Sequence, residues 1–281
     1  MDELPPSTRV GRVALRVGDV EGAADFYERV VGLRVHERTT DRVVLGADEP
    51  LLVLESAPDV PERRADEAGL YHVAFRVPTR AALGDALRRV EAEWELTGAS
   101  DHLVSEALYL TDPAGNGVEI YVDKPREEWP VTADGRVRME TRPLTLDDLR
   151  DAAGDGEAMP DGTDVGHVHL AITDVDRSRR FYVDEIGLRV RQEFGTAALF
   201  VAADDYHHHV GLNTWENRSR PASDRGLAWF ELVVPDADAL AGVREVASEG
   251  RDLEDASGSE RDGGLEVTDP DGIKLRLRTP E

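Results

Sequence analysis

Apolar and polar residues alternate over Val10–Val17 and again over His167–Ile172, the period-two pattern of half-buried strands. Each is followed by a segment with an aspartate near its start and an aromatic pair near its end, Asp19–Tyr27 and Asp174–Tyr182, which predicts a short helix. Three more strand-like segments follow. The last two are joined by Asp112-Pro-Ala-Gly115 or Asp269-Pro-Asp-Gly272, whose proline and glycine suit a tight turn. The predicted unit is βαβββ, and it recurs over residues 8–57, 68–123, 164–216 and 225–279. The fold class is therefore α+β, four such modules making two domains.

The repetition is visible in the residues themselves. Asp19-Val-Glu-Gly-Ala-Ala-Asp-Phe-Tyr27 and Gly32-Leu-Arg-Val35 return 155 residues on as Asp174-Val-Asp-Arg-Ser-Arg-Arg-Phe-Tyr182 and Gly187-Leu-Arg-Val190. Gly69-Leu-Tyr-His-Val-Ala-Phe-Arg-Val-Pro78 is echoed by Gly226-Leu-Ala-Trp-Phe-Glu-Leu-Val-Val-Pro235. A near-constant offset across separate segments indicates duplication. The expected domains are residues 8–125 and 164–281, with an acidic linker over 126–163. Within the linker Thr145-Leu-Asp-Asp-Leu-Arg150 predicts a short helix with Thr145 as N-cap; the rest reads as an exposed connector.

Length and charge narrow the function. A chain of 281 residues can bury two cores. Fifty-eight Asp and Glu against 33 Lys and Arg give a formal charge of −25, a field that repels nucleic acid and anionic membranes. The acids are spread along the whole chain, like the solvated surface of a halophilic protein. Apolar runs such as Ala197–Ala203 are too short to span a bilayer. The acidic start, Met1-Asp-Glu-Leu, lacks a secretion signal's apolar segment, so a cytoplasmic location is expected. The absence of cysteine excludes disulfides, zinc–thiolate sites, iron–sulfur clusters and a cysteine nucleophile.

Any metal must then be held by nitrogen and oxygen, and the histidines are placed to do it. Seven of the eight fall at His72, His102, His167, His169 and His207-His208-His209; His36 reads as a surface residue. The opening strands of the four modules carry Arg12, His72, His167 and Trp229 at the equivalent position, and the last strands of modules two and four carry Glu119 and Arg276. Neither half holds a full ligand set. Modules two and three together supply His72, Glu119 and His167, two imidazoles and one carboxylate, the facial triad of non-haem Fe(II) oxygenases. This requires modules two and three to share a site, within a chain or across a dimer. His169 shares a strand face with His167; Asn213 and Trp215 read as structural or pocket-lining.

With its modules, its Phe-Tyr helix ends and its Asp-Pro-X-Gly turns, the chain resembles the vicinal oxygen chelate (glyoxalase, bleomycin resistance and extradiol dioxygenase) superfamily. Gly69-Leu-Tyr-His72, Asp101-His102 through Tyr109 to Glu119, Gly166-His-Val-His-Leu170 and Tyr206-His-His-His-Val-Gly-Leu-Asn-Thr-Trp215 resemble its two-domain catechol-2,3-dioxygenase group over essentially the whole chain. The resemblance implies extradiol cleavage of a small aromatic diol by O2, with Fe(II), or Mn(II), as cofactor, in a homo-oligomer. It implies His208 as an acid/base beside bound oxygen, on the last strand of module three with His207 and His209 pointing oppositely. His102 and Tyr109 are the other implied catalytic residues, in a pattern that better-known relatives carry in module four. Two alternatives remain: a glyoxalase-type isomerase, which would want a second glutamate, and a non-catalytic binder of small aromatics.

Overall fold

The computed structural model describes residues 3–247, 254–255 and 264–280. Module one comprises β1 (Arg9–Val17), α1 (Val20–Phe26), β2 (Arg34–Arg38), β3 (Arg42–Gly46) and β4 (Pro50–Ser56). Module two comprises β5 (Gly69–Arg76), α2 (Arg80–Glu93), β6 (Gly98–Asp101), β7 (Ser105–Thr111) and β8 (Gly117–Asp123). The connector contributes β9 (Arg142–Pro143) and α3 (Leu146–Asp151). Module three has β10 (Asp164–Ala171), α4 (Val175–Arg179), β11 (Arg189–Phe194), β12 (Ala198–Ala202) and β13 (Val210–Asn213). Module four has β14 (Gly226–Val233), α5 (Ala237–Ala247), β15 (Glu254–Asp255), β16 (Leu265–Thr268) and β17 (Lys274–Arg278). The fold is α+β, four βαβββ modules.

The chain forms two compact units. The first is Ala14–Pro61 with Tyr71–Gly166; the second is Met1–Val13, Glu62–Leu70 and His167–Glu281. In the first, strands are ordered β2-β3-β4 and β5-β8-β7-β6-β9; in the second, β11-β12-β13-β10 and β15-β16-β17-β14. The opening strand of a module lies parallel to its last, as β5 to β8, β10 to β13 and β14 to β17. The strands between are antiparallel.

Local chemistry accounts for the elements. Asp19 and Asp174 cap α1 and α4 by accepting from the amides of Gly22 and Arg177. Both helices pass into a wider turn containing the tyrosine of the Phe-Tyr pair, and the first ends at Gly32, whose φ of 93° suits glycine. Tyr27 and Tyr182 are fully buried and donate to Asp112 and Asp269, each at 3.1 Å. The repeated Phe-Tyr and Asp-Pro-X-Gly motifs are thus two ends of one latch, joining modules one and two in the first unit and three and four in the second.

The connector differs from an exposed tether. α3 follows Thr145 and buries Leu149; β9 pairs with β6; Trp129, Val137, Met139 and Met159 are buried. Its acidity masked these scattered apolar residues, whose burial keeps the segment on the first unit. Among the described residues no helix is long and apolar enough to cross a membrane.

Candidate metal centre

In the first unit, strand register sets the geometry. His72 of β5 lies opposite Gly117 of β8, and Ala74 opposite Glu119. On the other side of β8, Tyr109 of β7 faces Glu119. Alternation along each strand therefore puts His72, Tyr109 and Glu119 on one face. Glycine is required at 117, since a Cβ there would fall 2.0 Å from the Tyr71 carbonyl oxygen and 3.0 Å from the His72 Cβ. His72 Nε2 lies 2.9 Å from Glu119 Oε2, and the two residues are only 6% and 3% exposed. A carboxylate buried on an otherwise apolar strand is costly unless compensated.

Tyr109 extends the cluster. Its hydroxyl meets His102 Nε2 at 2.6 Å. Burial, then the charge and hydrogen bond of Glu119, push the phenol well above its ordinary range, so it stays an O–H donor. The other face of His102 is fixed by Nδ1 at 2.9 Å from the Glu140 carbonyl. A carbonyl only accepts, so Nδ1 carries a proton, and in the neutral ring Nε2 and the Glu119 carboxylate share the single Tyr109 hydrogen as acceptors. Asp101 shapes the corner: its carboxylate accepts from the Leu103 amide at 2.8 Å and from Lys124 Nζ at 2.7 Å. Leu103 holds a φ of 71° there, uncommon for a branched residue. The positioning roles of Asp101, Lys124 and Glu140 were not recognised from sequence; the Asp101-His102 pair was the available signal.

The second unit gathers five of the eight histidines, all five buried. His167 lies on β10, its ring centroid 4.1 Å from that of His208 and 5.9 Å from that of His207. His207 and His208 meet through their Nδ1 atoms at 2.8 Å. Donor atoms of these three all lie within 4.8 Å of one another. The expectation that His207 points away from His208 is overturned, because residues 203–209 are irregular and the strand is only Val210–Asn213. Arg191 holds that loop, its Nε donating to the Tyr206 carbonyl at 3.0 Å and its NH2 group to the Asp205 carbonyl at 3.2 Å. His209 accepts from the Ala203 amide at 3.2 Å and stacks on Tyr206, a structural role. His169 packs over Gly211, where a Cβ would fall 2.7 Å from its ring, and beside Phe200 and Trp215. Asn213 donates to the Leu170 carbonyl, and His36 is exposed on β2.

The counterpart positions in the second unit hold Arg12, Trp229 and Arg276. Arg12 grips Glu231 through NH2 at 2.9 Å, Nε at 3.2 Å and its backbone amide at 2.9 Å; Arg278 adds a contact at 3.1 Å. Burial pushes Glu231 upward, but the hydrogen bonds and charges of Arg12 and Arg278 outweigh it and hold the carboxyl below its usual range. The Arg276 guanidinium lies 4.2 Å from the Trp229 ring centroid and pairs with Glu266 at 2.7 Å.

The family described as the Glyoxalase/Bleomycin resistance protein/Dioxygenase superfamily matches residues 9–120 and 164–277. Over 251 residues the chain is 38% identical to the catechol-2,3-dioxygenase of Bacillus subtilis (strain 168), covering 85% of this chain and 87% of that protein. A stretch of 128 residues is 30% identical to the uncharacterized protein PA2024 of Pseudomonas aeruginosa, 42% of this chain and 91% of that one. The fold is similar to that of the cppA protein of Streptococcus pneumoniae, with a TM-score of 0.61 and 10% identity over 99% of this chain and all of that one. It is also similar to glyoxalase I of Zea mays, with a TM-score of 0.58 and 15% identity over 97% and 92%.

Proposed function

Because the chain belongs to the glyoxalase/bleomycin resistance protein/dioxygenase superfamily, we propose that it is an extradiol dioxygenase, opening catechol-type rings with dioxygen at a divalent metal held by His72, Glu119 and His167. The buried His72–Glu119 contact at 2.9 Å carries this reading. One carboxylate and imidazole nitrogen form a donor set that suits Fe(II) or Mn(II) and leaves coordination positions open. Chain continuity supports His167 as the third donor. It follows Gly166 by one peptide bond, and a Cβ at Gly166 would fall 1.8 Å from the hydroxyl of Tyr121, two residues along β8 from Glu119.

When bound, the metal would lower the pKa of the diol hydroxyls and hold both substrates side by side. The chain's own residues manage the protons. The neutral His102 ring, its Nδ1–H donated to the Glu140 carbonyl, presents Nε2 to accept the proton of the second hydroxyl. Tyr109, kept protonated, donates a hydrogen bond to the oxygen on which charge develops. His208 is the second proton-transfer group proposed for this site. The glyoxalase-type alternative needs a second free glutamate, and the two other buried glutamates among the described residues, Glu231 and Glu266, are gripped by arginines.

The test is elemental analysis of protein purified anaerobically in high salt, followed by oxygen uptake with catechol. About one iron or manganese per chain, uptake and a yellow ring-opened product are expected. Protein that holds no metal and takes none up on reconstitution refutes the proposal and leaves a small-molecule binder.

A further inference from the structure

The histidines of the second unit offer more donors than the proposed triad uses. We propose that His167, His207 and His208 form a second divalent-cation position, of nitrogen-only chemistry, which shares His167 with the triad and therefore competes with it. The inference rests on that triad only for the competition; the three-histidine cluster belongs to the second unit by itself.

The spacing of the donor atoms suits a shared cation. Two nitrogens bound at about 2.1 Å lie about 3 Å apart at a right angle and about 3.4 Å apart at the tetrahedral angle. His207 and His208 bring their Nδ1 atoms to 2.8 Å, close to the right-angle value. His167 completes a group whose donor atoms all lie within 4.8 Å of one another. A cation shared by the two Nδ1 atoms would take the place of the hydrogen bond between them, the rings turning so that both lone pairs converge on it. The backbone is already ordered for this. Arg191 clamps the carbonyls of Asp205 and Tyr206 just before the run, and His209 is anchored by the Ala203 amide just after it.

Ligand chemistry separates the two positions. Three imidazoles with no carboxylate favour Zn(II), Cu(II), Ni(II) or Co(II), whereas the carboxylate of Glu119 suits Fe(II) and Mn(II). An ion at the three histidines would also occupy His208 and withdraw it from proton transfer. Excess zinc should then silence the iron-loaded protein through this position.

The experiment uses the full chain carrying His72→Ala and Glu119→Ala, which removes two of the triad's donors and leaves the three histidines untouched. Co(II) is titrated and followed by visible absorption and calorimetry. One Co(II) per chain is expected, and adding His207→Ala should weaken it by at least tenfold. No binding by the double variant, or equal binding with His207→Ala added, overturns the proposal. Should the double variant not fold, as judged by circular dichroism, the iron-loaded wild type and His207→Ala are titrated with Zn(II) instead. A zinc-binding class present in the wild type and lost in His207→Ala supports the second position; identical titrations overturn it. The triad is judged separately, by whether the wild type holds iron or manganese that His72→Ala and Glu119→Ala release.

Discussion

The two Asp-Pro-X-Gly turns make a controlled experiment within one molecule. Asp269 is buried, accepting from the amides of Asp271 and Ile273 at 2.9 and 2.8 Å and from the Tyr182 hydroxyl at 3.1 Å. Burial, joined by the charge of Asp271 and only partly offset by the Ile273 amide, pushes its carboxyl from 3.8 up to about 7. Asp112 occupies the matching turn and is raised less. Ala114 stands where the other turn has Asp271, and Asn116 Nδ2 donates an extra bond at 3.0 Å. A carboxyl whose folded pKa lies above its unfolded one stabilises the fold fully below pH 3.8 and loses that contribution as pH rises towards 7. At about 1.4 kcal/mol per pH unit, the whole difference is about 4 kcal/mol, of which about 3 kcal/mol is lost between roughly pH 5 and 8. Asp269→Asn keeps an oxygen for the two amides and lets the Nδ2 group donate to Tyr182, without the charge. Denaturant unfolding of wild type and variant should therefore show the variant gaining about 3 kcal/mol relative to wild type from roughly pH 5 to 8. Asp112→Asn should gain less. A wild-type-minus-variant difference that stays constant across that range refutes the reasoning.

Glu231→Ala leaves Arg12 and Arg278 facing each other without their shared carboxylate, and should cost about 3–5 kcal/mol in unfolding experiments while metal content is unchanged. Because Glu231 is held below its ordinary 4.5, its contribution is complete above that pH and fades as pH falls through the folded value, so wild type and variant should converge in acid. Tyr109→Phe removes the O–H between His102 and Glu119; metal content should hold while kcat for catechol falls about a hundredfold. Arg191→Ala frees the carbonyls of Asp205 and Tyr206 and should lower activity about 10–100-fold in steady-state assays, with the fold intact by circular dichroism.

Much of this architecture is written in local pattern. The four modules follow from period-two strands, capped helices and proline–glycine turns, each decided within a few residues. The candidate donors were legible because imidazoles and a carboxylate stood at equivalent strand positions. What escaped was non-local. The His207–His209 run looked like strand because it abuts Val210, yet a guanidinium from Arg191, on a separate strand, holds it in an irregular loop. The tautomer of His102 is set by a backbone carbonyl at Glu140, in a segment whose side-chain composition suggested only a tether.

Duplication separates frame from chemistry. Both units keep the same buried latch, Tyr27 on Asp112 and Tyr182 on Asp269, because the turn and the helix end need each other whatever reaction the protein performs. The site positions obey a different constraint: a buried charge persists only where something answers it. In the second unit the answer is built in, with Glu231 between Arg12 and Arg278, and Arg276 between Glu266 and the face of Trp229. Those groups satisfy one another and ask for no further cation. Glu119 meets His72 and Tyr109 instead, and neither an imidazole nor a phenol carries a permanent positive charge. A divalent ion there would supply what the arginines supply in the counterpart. The two imidazoles and one carboxylate proposed as donors, rather than the number of histidines, are what favour the proposed metal beside Glu119.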